Sequence, residues 1–330
     1  MPRYIVVGVG AVGGPIAARL AHTGQDVVAI ARGAHLEAIQ RSGLRCRTPA
    51  EDITVRMPAF GGVGGVEPPI GAADVVIIAT KVHQAAPVIA ELAACTAGDE
   101  PAVICATNGL DCERQALRSF PRTYGMLVFL TGMHIEPGEV LMFGSPPRHA
   151  WIPVGRFPSG ADEVAKTAAA DLTAAGFMCE ADPAVMDKKA AKLALNIGNA
   201  AAALSDAGSD EGKTIMQLIK EEATAAYEAA GIAVYDAAQL QEEWSAIGPQ
   251  GNDVPIPDAP TYNGSSWQSL HRGTGDIESA FLNGEICLLG RLHGVPTPAN
   301  AALQAAAERA AAAGHGPGTS SKAADLLARM

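Results

Sequence analysis

The sequence lacks the features that mark secreted, metal-binding and membrane-spanning proteins. Its six cysteines form no C-x-x-C pair and no metal-type spacing, so we expect reduced thiols, no metal site and a cytoplasmic location. No stretch reaches the roughly 18 consecutive apolar residues that a membrane-spanning helix needs. The N-terminus enters a predicted strand without a basic region before an apolar stretch, which predicts no secretory signal peptide.

Positive charge is also scarce. The chain has 24 Lys and Arg against 35 Asp and Glu, a formal net charge of −11, and it has no basic stripe. This balance predicts neither a nucleic-acid partner nor a membrane surface. An anionic small molecule would have to be bound by individual lysines and arginines, because the chain as a whole is negatively charged. A single Lys or Arg in a predicted cleft therefore indicates a possible binding site for an anion.

Length and hydrophobic periodicity predict two domains of different class. A chain of 330 residues, 48% of them hydrophobic, can form about two domains with packed cores. Strand-like and helix-like segments alternate through residues 1–182, which is typical of a doubly wound α/β domain. Residues 183–330 are helical in pattern throughout, with helices predicted over 211–230, 276–292 and 298–313. The strands predicted for the first domain are 26–30, 73–79, 101–106 and an antiparallel edge within 124–155.

The most informative motif is a glycine turn at the N-terminus. An apolar strand runs directly into a G-x-G-x-x-G sequence, and an apolar helical pattern follows it. Gly8 allows a sharp turn, Gly10 leaves room for a pyrophosphate, and Gly13 lets helix and strand pack closely. A turn without a ligand is the alternative, but the strand before and the helix after favour dinucleotide binding. The predicted cofactor contacts of this turn are Gly8, Val9, Gly10, Ala11, Val12 and Gly13.

Polar side chains follow three of the predicted strands. Arg32 stands where NAD-preferring sites have an acidic residue, and its guanidinium can bind a 2′-phosphate, which predicts NADP(H) over NAD(H). A solvated surface arginine is the alternative. Lys81 and Asn108 follow the next two strands, and ligands of open parallel sheets bind at these carboxyl ends. Both are therefore candidate contacts for cofactor or substrate.

Lys192, Asn196 and Asn199 recur at i, i+4 and i+7 in a stretch of Ala, Leu and Ile. This spacing predicts one shared face of a helix. Burial of an amine and two amides against a core is costly without polar partners. The face therefore points to solvent or lines a polar cleft, and the surrounding apolar composition favours the cleft.

Two further features bear on the site. The proline-rich segment 248–264 is too long for a simple connection, and such loops are often lids or site elements. Histidines offer a rival acid–base group, but no acidic residue is spaced to orient His83, His134, His271 or His293. We interpret these four as surface or structural residues.

Taken together, these motifs resemble the ketopantoate reductase (2-dehydropantoate 2-reductase) family, which joins an N-terminal Rossmann-type domain to an all-helical domain. Several ordered motifs in one chain are more specific than any one alone. The matching pieces run nearly end to end and are Gly8 to Gly13, Ala31-Arg32-Gly33, Lys81 with Gln84, Asn108-Gly109, Lys192 to Asn196, Ser265-Ser266, Glu278, Asn283-Gly284 and His293 to Pro298.

The resemblance implies a function for each matched residue. Lys192 would be the general acid that protonates the ketone oxygen of a 2-oxo acid while NADPH delivers hydride, and Glu278 would face it as a charged partner. Ser266 would bind the substrate carboxylate. The other implied substrate contacts are Asn108 and Asn196, and the helical spacing adds Asn199 as a candidate. The other implied cofactor contacts are Arg32, Lys81, Asn108 and Glu278.

Two departures from the family pattern leave the substrate open. Ala200 stands where the family commonly has Asn, and Asn199 comes one residue earlier; Trp267 follows Ser266 where the family usually has Met. We therefore expect an NADPH-dependent 2-oxo acid reductase, and a homodimer is compatible with the sequence. The alternatives are another dehydrogenase of this architecture, acting on an opine-like or other branched 2-hydroxy acid, and a sensor that binds NADPH without turnover.

Overall fold

A computed structural model of the chain describes residues 1–246, 254–260, 264–273, 277–318 and 322–330, and it divides into two compact units. The first unit contains Met1–Asn108, Cys112–Met186 and the described residues of 238–262. The second contains Gly109–Asp111, Asp187–Ala237 and the described residues from 264 onward. The boundary predicted at 182/183 lies close to the main crossing at Met186 and Asp187, and after that crossing the chain returns once more to the first unit.

The first unit contains eleven strands among its described residues, and five helices precede the main crossing. The strands are β1 (Arg3–Val7), β2 (Asp26–Ile30), β3 (Leu44–Arg47), β4 (Asp52–Val55), β5 (Ala59–Phe60), β6 (Val75–Ile78), β7 (Ala102–Cys105), β8 (Thr123–Met126), β9 (Gly132–Met133), β10 (Glu139–Met142) and β11 (Val154–Arg156). The helices are α1 (Gly13–His22), α2 (Gly33–Ser42), α3 (Ala85–Cys95), α4 (Asp111–Leu117) and α5 (Glu163–Ala174).

Seven of these strands form the central sheet, in the order β11-β8-β7-β6-β1-β2-β5. Every neighbouring pair is parallel except β11 with β8, which confirms the predicted doubly wound α/β architecture. Residues of β1 alternate between the two faces: Tyr4 and Val6 pack in a core with α1 and α5, and Ile5 and Val7 pack in a core with α3 and α4. This burial on both faces explains the unbroken apolar run.

The segment predicted as an antiparallel edge is divided between two sheets. β8 continues the parallel sheet beside β7, and β11 alone supplies the antiparallel edge. β9 and β10 instead join a second sheet of order β4-β3-β10-β9, which the sequence did not predict. Short strands separated by Gly and Pro have the same local pattern in either sheet, so only their distant partners distinguish them.

The described residues of the second unit are helical, as predicted. Their helices are α6 (Val185–Asn196), α7 (Asn199–Leu204), α8 (Asp210–Ala230), α9 (Ala237–Ser245), α10 (Ser265–Arg272), α11 (Asn283–His293), α12 (Pro298–Ala312) and α13 (Ala323–Leu327), of which α6 begins and α9 ends in the first unit. The Ser209 hydroxyl caps α8 by accepting the Gly212 N–H, and Gly231 ends it at a φ of +64°. The helix predicted from 276 begins later, at Asn283, and the predicted cap Asp276 lies outside the described residues.

Among the helices that the structure describes, none is both long enough and apolar enough to cross a membrane.

The return of the chain to the first unit places the described part of the proline-rich segment on the second sheet. The Trp244 ring of α9 lies 4.7 Å from that of Phe129. The Val254 N–H donates to the Phe143 carbonyl at 3.2 Å, and Ile256 is buried in a cluster that includes Phe143. Ile256 therefore belongs to the core of the first unit, and Trp244 and Val254 contact the same unit, although the sequence pattern grouped all three with the second.

Candidate active site

The glycine turn between β1 and α1 is shaped by its own backbone and by the end of β6. Gly8 has a φ of +89°, and a Cβ there would lie 2.8 Å from Cγ2 of Thr80. A Cβ on Gly13 would overlap the Gly8 carbonyl oxygen and would lie 2.8 Å from Cβ of Ala79. The fold itself therefore requires glycine at both positions.

Gly10 differs because the protein around it leaves room for a side chain. Its φ is outside the left-handed region, and the described residues place only Nδ1 of His134 within 4 Å of a Cβ built there, at 3.9 Å. The turn leads into the N-terminus of α1, where the Gly14 N–H already donates to the Gly10 carbonyl at 2.8 Å and Pro15 has no N–H, so these two residues offer no free donor. Open space over the middle glycine, together with the positive end of the α1 dipole, fits the diphosphate of a dinucleotide.

The other residues of the turn are fixed by neighbouring backbone. The Gly8 and Val9 N–H groups donate to the Ile30 carbonyl at 3.0 and 3.4 Å, which ties the turn to the end of β2. Val12 occupies the cap position of α1, and Gly132 of β9 packs so closely on the Ala11 carbonyl that a Cβ would overlap it. The turn is therefore held from both the central and the second sheet.

Arg32 follows β2 and precedes α2. It has an extended backbone, and its side chain is exposed. No described residue forms a hydrogen bond or ion pair with its guanidinium, so this cation is available to an anion from solution. Its place at the carboxyl end of the strand beside β1 is the place predicted for the recognition of an adenosine ribose.

Three more polar residues lie at the carboxyl ends of β6 and β7. The Thr80 hydroxyl is buried and has no hydrogen-bond partner among the described residues. Lys81 caps the short 3-10 turn Val82–Gln84, and Asn108 follows β7. Because these strands are parallel to β1, their ends share the sheet edge that carries the glycine turn.

Lys192 in α6 has an unusual electrostatic environment. Burial lowers its pKa to about 7, the nearby charge of Lys189 lowers it too, and the carboxylate of Glu278 opposes both by raising it. Lys189 and Glu278 are themselves buried, at 3% and 9% exposure, so their charges are weakly screened. A lysine of this pKa can both hold and release a proton near neutral pH.

The helix that carries Lys192 ends sooner than predicted. α6 stops at Asn196, the Gly198 N–H bonds to the carbonyl three residues earlier at 3.3 Å, and Asn199 begins α7. The flexible end of the Met216 side chain of α8 packs against Gly198 at this break. Lys192 and Asn196 lie in one helix with the predicted spacing, but the prediction that the same helix continues through Asn199 is wrong.

Ser266 and Glu278 lie in two other elements of the second unit. Ser266 is in the first turn of α10 and is 4% exposed, and the next residue, Trp267, stacks on His271 at 4.7 Å. Glu278 precedes the 3-10 turn Ser279–Phe281. The second unit therefore supplies four candidate residues from three segments: Lys192 and Asn196 from α6, Ser266 from α10, and Glu278. The charges of Lys192 and Glu278 interact, which connects two of those segments.

The Asn283-Gly284 pair, one of the matched motifs, has a structural function. The amide of the fully buried Asn283 donates to the Ile197 carbonyl and to Oδ1 of Asn300, each at 3.0 Å. The Asn300 amide in turn donates to Glu222 at 2.8 Å, and the same carboxylate accepts the Asn300 N–H at 2.9 Å. This network joins α8, α11 and α12 to the break after Asn196, and so it fixes where α6 ends.

Two residues next to these groups were missed as site residues in the sequence. Lys189 precedes Lys192 by three residues, and this helical spacing could have indicated the contact. His134 lies beside Gly10, but no local pattern connects residues so far apart in the chain. Within the described residues, no group of His, Cys, Asp and Glu side chains is arranged to hold a metal ion.

Two family models match the chain. Residues 4–156 match "Ketopantoate reductase PanE/ApbA", and residues 184–310 match "Ketopantoate reductase PanE/ApbA C terminal". A curated 2-dehydropantoate 2-reductase from Mesorhizobium japonicum is 38% identical over 109 residues, which are 33% of this chain and 32% of that protein. The chain therefore spans about a third of the length of this curated relative.

Solved structures of similar fold cover nearly the whole chain. A PanE/ApbA family ketopantoate reductase from Ralstonia eutropha has a TM-score of 0.77 at 24% identity, covering 94% of this chain and 99% of its own. D-mandelate dehydrogenase, solved with NADH and anilino(oxo)acetate, has a TM-score of 0.78 at 20% identity, with the same coverage. At these identities the likeness establishes the shared fold.

Proposed function

Because the chain belongs to the ketopantoate reductase family, we propose that it is an NADPH-dependent reductase that converts a 2-oxo acid into a 2-hydroxy acid. The observation that carries the proposal is Lys192, whose pKa burial lowers to about 7 near the Glu278 carboxylate. Carbonyl reduction needs a proton donor where alkoxide charge develops. An ordinary lysine, with a pKa of about 10.4, holds its proton too tightly to be an efficient donor at neutral pH.

In the proposed mechanism, the first unit binds the dinucleotide and the second unit supplies the proton donor. A bound reduced nicotinamide supplies the hydride, and the glycine turn with Lys81 holds the dinucleotide. The Lys192 ammonium donates its proton to the ketone oxygen as negative charge develops there. Glu278 favours the charged ammonium, whereas burial and Lys189 favour its deprotonation, and the balance keeps the pKa near neutrality. The proposed donors and contacts for the substrate oxygens are Asn108, Asn196, Asn199 and Ser266.

A preference for NADPH is supported by the end of β2. Arg32 is exposed there, and no acidic residue stands at the strand end to bind a 2′-hydroxyl. A guanidinium can form two parallel hydrogen bonds with a phosphate. The adenosine ribose of NADH carries a 2′-hydroxyl and has no 2′-phosphate to accept them. The solved D-mandelate dehydrogenase contains NADH, so both dinucleotides belong in any assay.

A second candidate is the same reaction on a different 2-oxo acid. It is supported by Trp267, which follows the proposed carboxylate contact Ser266 and stacks on His271. An indole beside the carboxylate would change the shape available to the rest of the substrate. Branched, opine-like and aromatic 2-oxo acids are therefore the substrates to compare with ketopantoate. A sensor that binds NADPH without turnover is less well supported, because it would not need Lys192.

The test is a substrate and cofactor panel with the purified full-length chain. NADPH or NADH is mixed with ketopantoate, an unbranched 2-oxo acid or phenylglyoxylate, and oxidation is followed by nicotinamide absorbance. We expect a higher kcat/KM with NADPH than with NADH, and turnover of at least one 2-oxo acid. Turnover of phenylglyoxylate but not ketopantoate would select the second candidate. Binding of NADPH without oxidation by any substrate would contradict the reductase proposal.

A further inference from the structure

His134 lies beside Gly10, the middle glycine of the turn. It follows β9 and precedes β10 in the second sheet, yet its Nδ1 atom lies 3.9 Å from the position that a Cβ on Gly10 would occupy. The middle glycine of such a turn is small so that the backbone can approach the pyrophosphate. The imidazole therefore borders the space over Gly10.

The histidine ring is held in this place by a second histidine. The ring of His35 lies 4.1 Å from that of His134, at an interplanar angle of 46°. The Gly138 N–H donates to Nδ1 of His35 at 2.8 Å, and Nε2 of His35 lies 2.9 Å from the Val9 carbonyl of the glycine turn. Because Nδ1 accepts, Nε2 must carry the proton and donate to Val9.

This arrangement fixes His35 as a neutral ring. Burial lowers the pKa of His35, in keeping with a tautomer that already uses both nitrogens. Protonation of His35 would turn Nδ1 into a donor facing the Gly138 N–H, and the hydrogen bond between them would be lost. His35 thus connects the glycine turn at Val9 with the ring of His134, and the second sheet supplies both Gly138 and His134.

We propose that His134 is a cofactor-binding residue that donates a hydrogen bond from its imidazole to the diphosphate of the dinucleotide, and that His35 positions it. The inference rests on the proposed dinucleotide cofactor. An imidazole N–H is a suitable donor to a phosphate oxygen, and hydrogen bonds to charged groups are stronger than neutral ones. In a chain with few positive charges, this contact would add to the favourable dipole of α1.

The experiment compares two ligands that differ in the diphosphate. Dissociation constants of NADPH and of 2′-AMP, which has the 2′-phosphate but no diphosphate, are measured by calorimetry for the full-length wild type and for variants. His134→Ala removes the donor, and His134→Asn restores an N–H near the position of Nδ1. His22→Ala, an exposed histidine at the far end of α1, is the matched control.

We expect His134→Ala to weaken NADPH binding about tenfold or more, as loss of a hydrogen bond to a charged group does. Binding of 2′-AMP should change by less than about twofold, since a hydrogen bond to the diphosphate is absent from that complex. His134→Asn should recover most of the NADPH affinity, and His22→Ala should match the wild type.

Two results would overturn the inference. One is unchanged NADPH affinity in His134→Ala. The other is an equal loss of NADPH and 2′-AMP binding, which would mean that the histidine only supports the shape of the turn. A wild-type protein that binds neither NADPH nor NADH would overturn the proposed function, and this inference with it.

Discussion

At the scale of single residues, Lys192 shows how neighbours far apart in the chain set the chemistry of a side chain. Burial and the charge of Lys189 favour the neutral amine, and the charge of Glu278 favours the ammonium. With a pKa of about 7, Lys192 is largely protonated below neutrality and loses its proton as the pH rises through that value. Lys192 should therefore act as a proton donor at pH values below about 7 and lose this function at higher pH.

The pH profile tests this assignment. We expect kcat/KM for 2-oxo acid reduction to fall as the pH rises above about 7, and Lys192→Ala to lower kcat by roughly 10²–10⁴-fold. Lys189→Met should move the falling limb to higher pH, because it removes a charge that lowers the Lys192 pKa. Lys213→Met, at an exposed lysine of α8, is the control and should leave the limb in place. An unchanged limb in Lys192→Ala would reject Lys192 as its origin.

Arg32 is the residue on which cofactor choice depends in our proposal. We expect Arg32→Ala to raise the dissociation constant of NADPH by about 10–100-fold, the range expected for lost hydrogen bonds to a charged phosphate. The constant for NADH should change little, because NADH has no 2′-phosphate. Arg41→Ala, at an exposed arginine in the last turn of the helix that follows, serves as the control in fluorescence titrations. An equal loss of affinity for NADPH and NADH would show that Arg32 does not bind the 2′-phosphate.

At the scale of elements, the three glycines of the turn have different reasons to be glycine. Gly8 and Gly13 are required by contacts within the protein, whereas the described residues leave the space over Gly10 open except for His134. The same residue type thus serves backbone geometry at two positions and ligand access at the third. A sequence motif alone does not separate these functions.

Two alanine substitutions distinguish the structural function of Gly13 from the ligand-access function of Gly10. Gly13→Ala should lower the free energy of unfolding by about 1–3 kcal/mol, because the added methyl would overlap the Gly8 carbonyl. Gly10→Ala should leave stability within about 0.5 kcal/mol of wild type. It should nevertheless weaken NADPH binding about tenfold or more, since a methyl occupies the pyrophosphate space. Denaturant unfolding and calorimetry measure both effects. If Gly10→Ala bound NADPH normally, the dinucleotide would not use this turn.

At the scale of the whole molecule, the chain enters the second unit at Asp187 and returns to the first unit before it ends in the second. The returning residues are part of a core, since Ile256 packs with Met133, Leu141 and Phe143. A fragment comprising only residues 1–182, the first domain as predicted, would therefore lack part of its own apolar interior. The unit is compact in space but discontinuous in sequence.

Ile256→Ala in the full-length protein tests this contribution. We expect the free energy of unfolding of the first unit to fall by about 2–4 kcal/mol, as for other large-to-small changes at buried aliphatic positions. Asp258→Gly is the neighbouring control: Asp258 is exposed at a φ of +59°, where glycine is tolerated without strain. The loss should appear in denaturant unfolding followed by near-ultraviolet circular dichroism. An unfolding curve identical to wild type would show that the returning segment is not a core element.

The sequence by itself determined the features that depend on local periodicity and local backbone geometry. The buried strand β1, the glycine turn and α8 with its terminal Gly231 were all predicted, because strand alternation, turn residues and helix ends act within a few residues. The absence of an acid at Arg32 was likewise a local observation.

Tertiary structure decided what depends on distant neighbours. The pKa of Lys192, the end of α6 at Asn196, the place of Ile256 in the first unit and the position of His134 beside Gly10 each depend on residues from other segments. Desolvation, charge coupling and close packing are properties of the space around a side chain, which the order of residues along the chain does not specify.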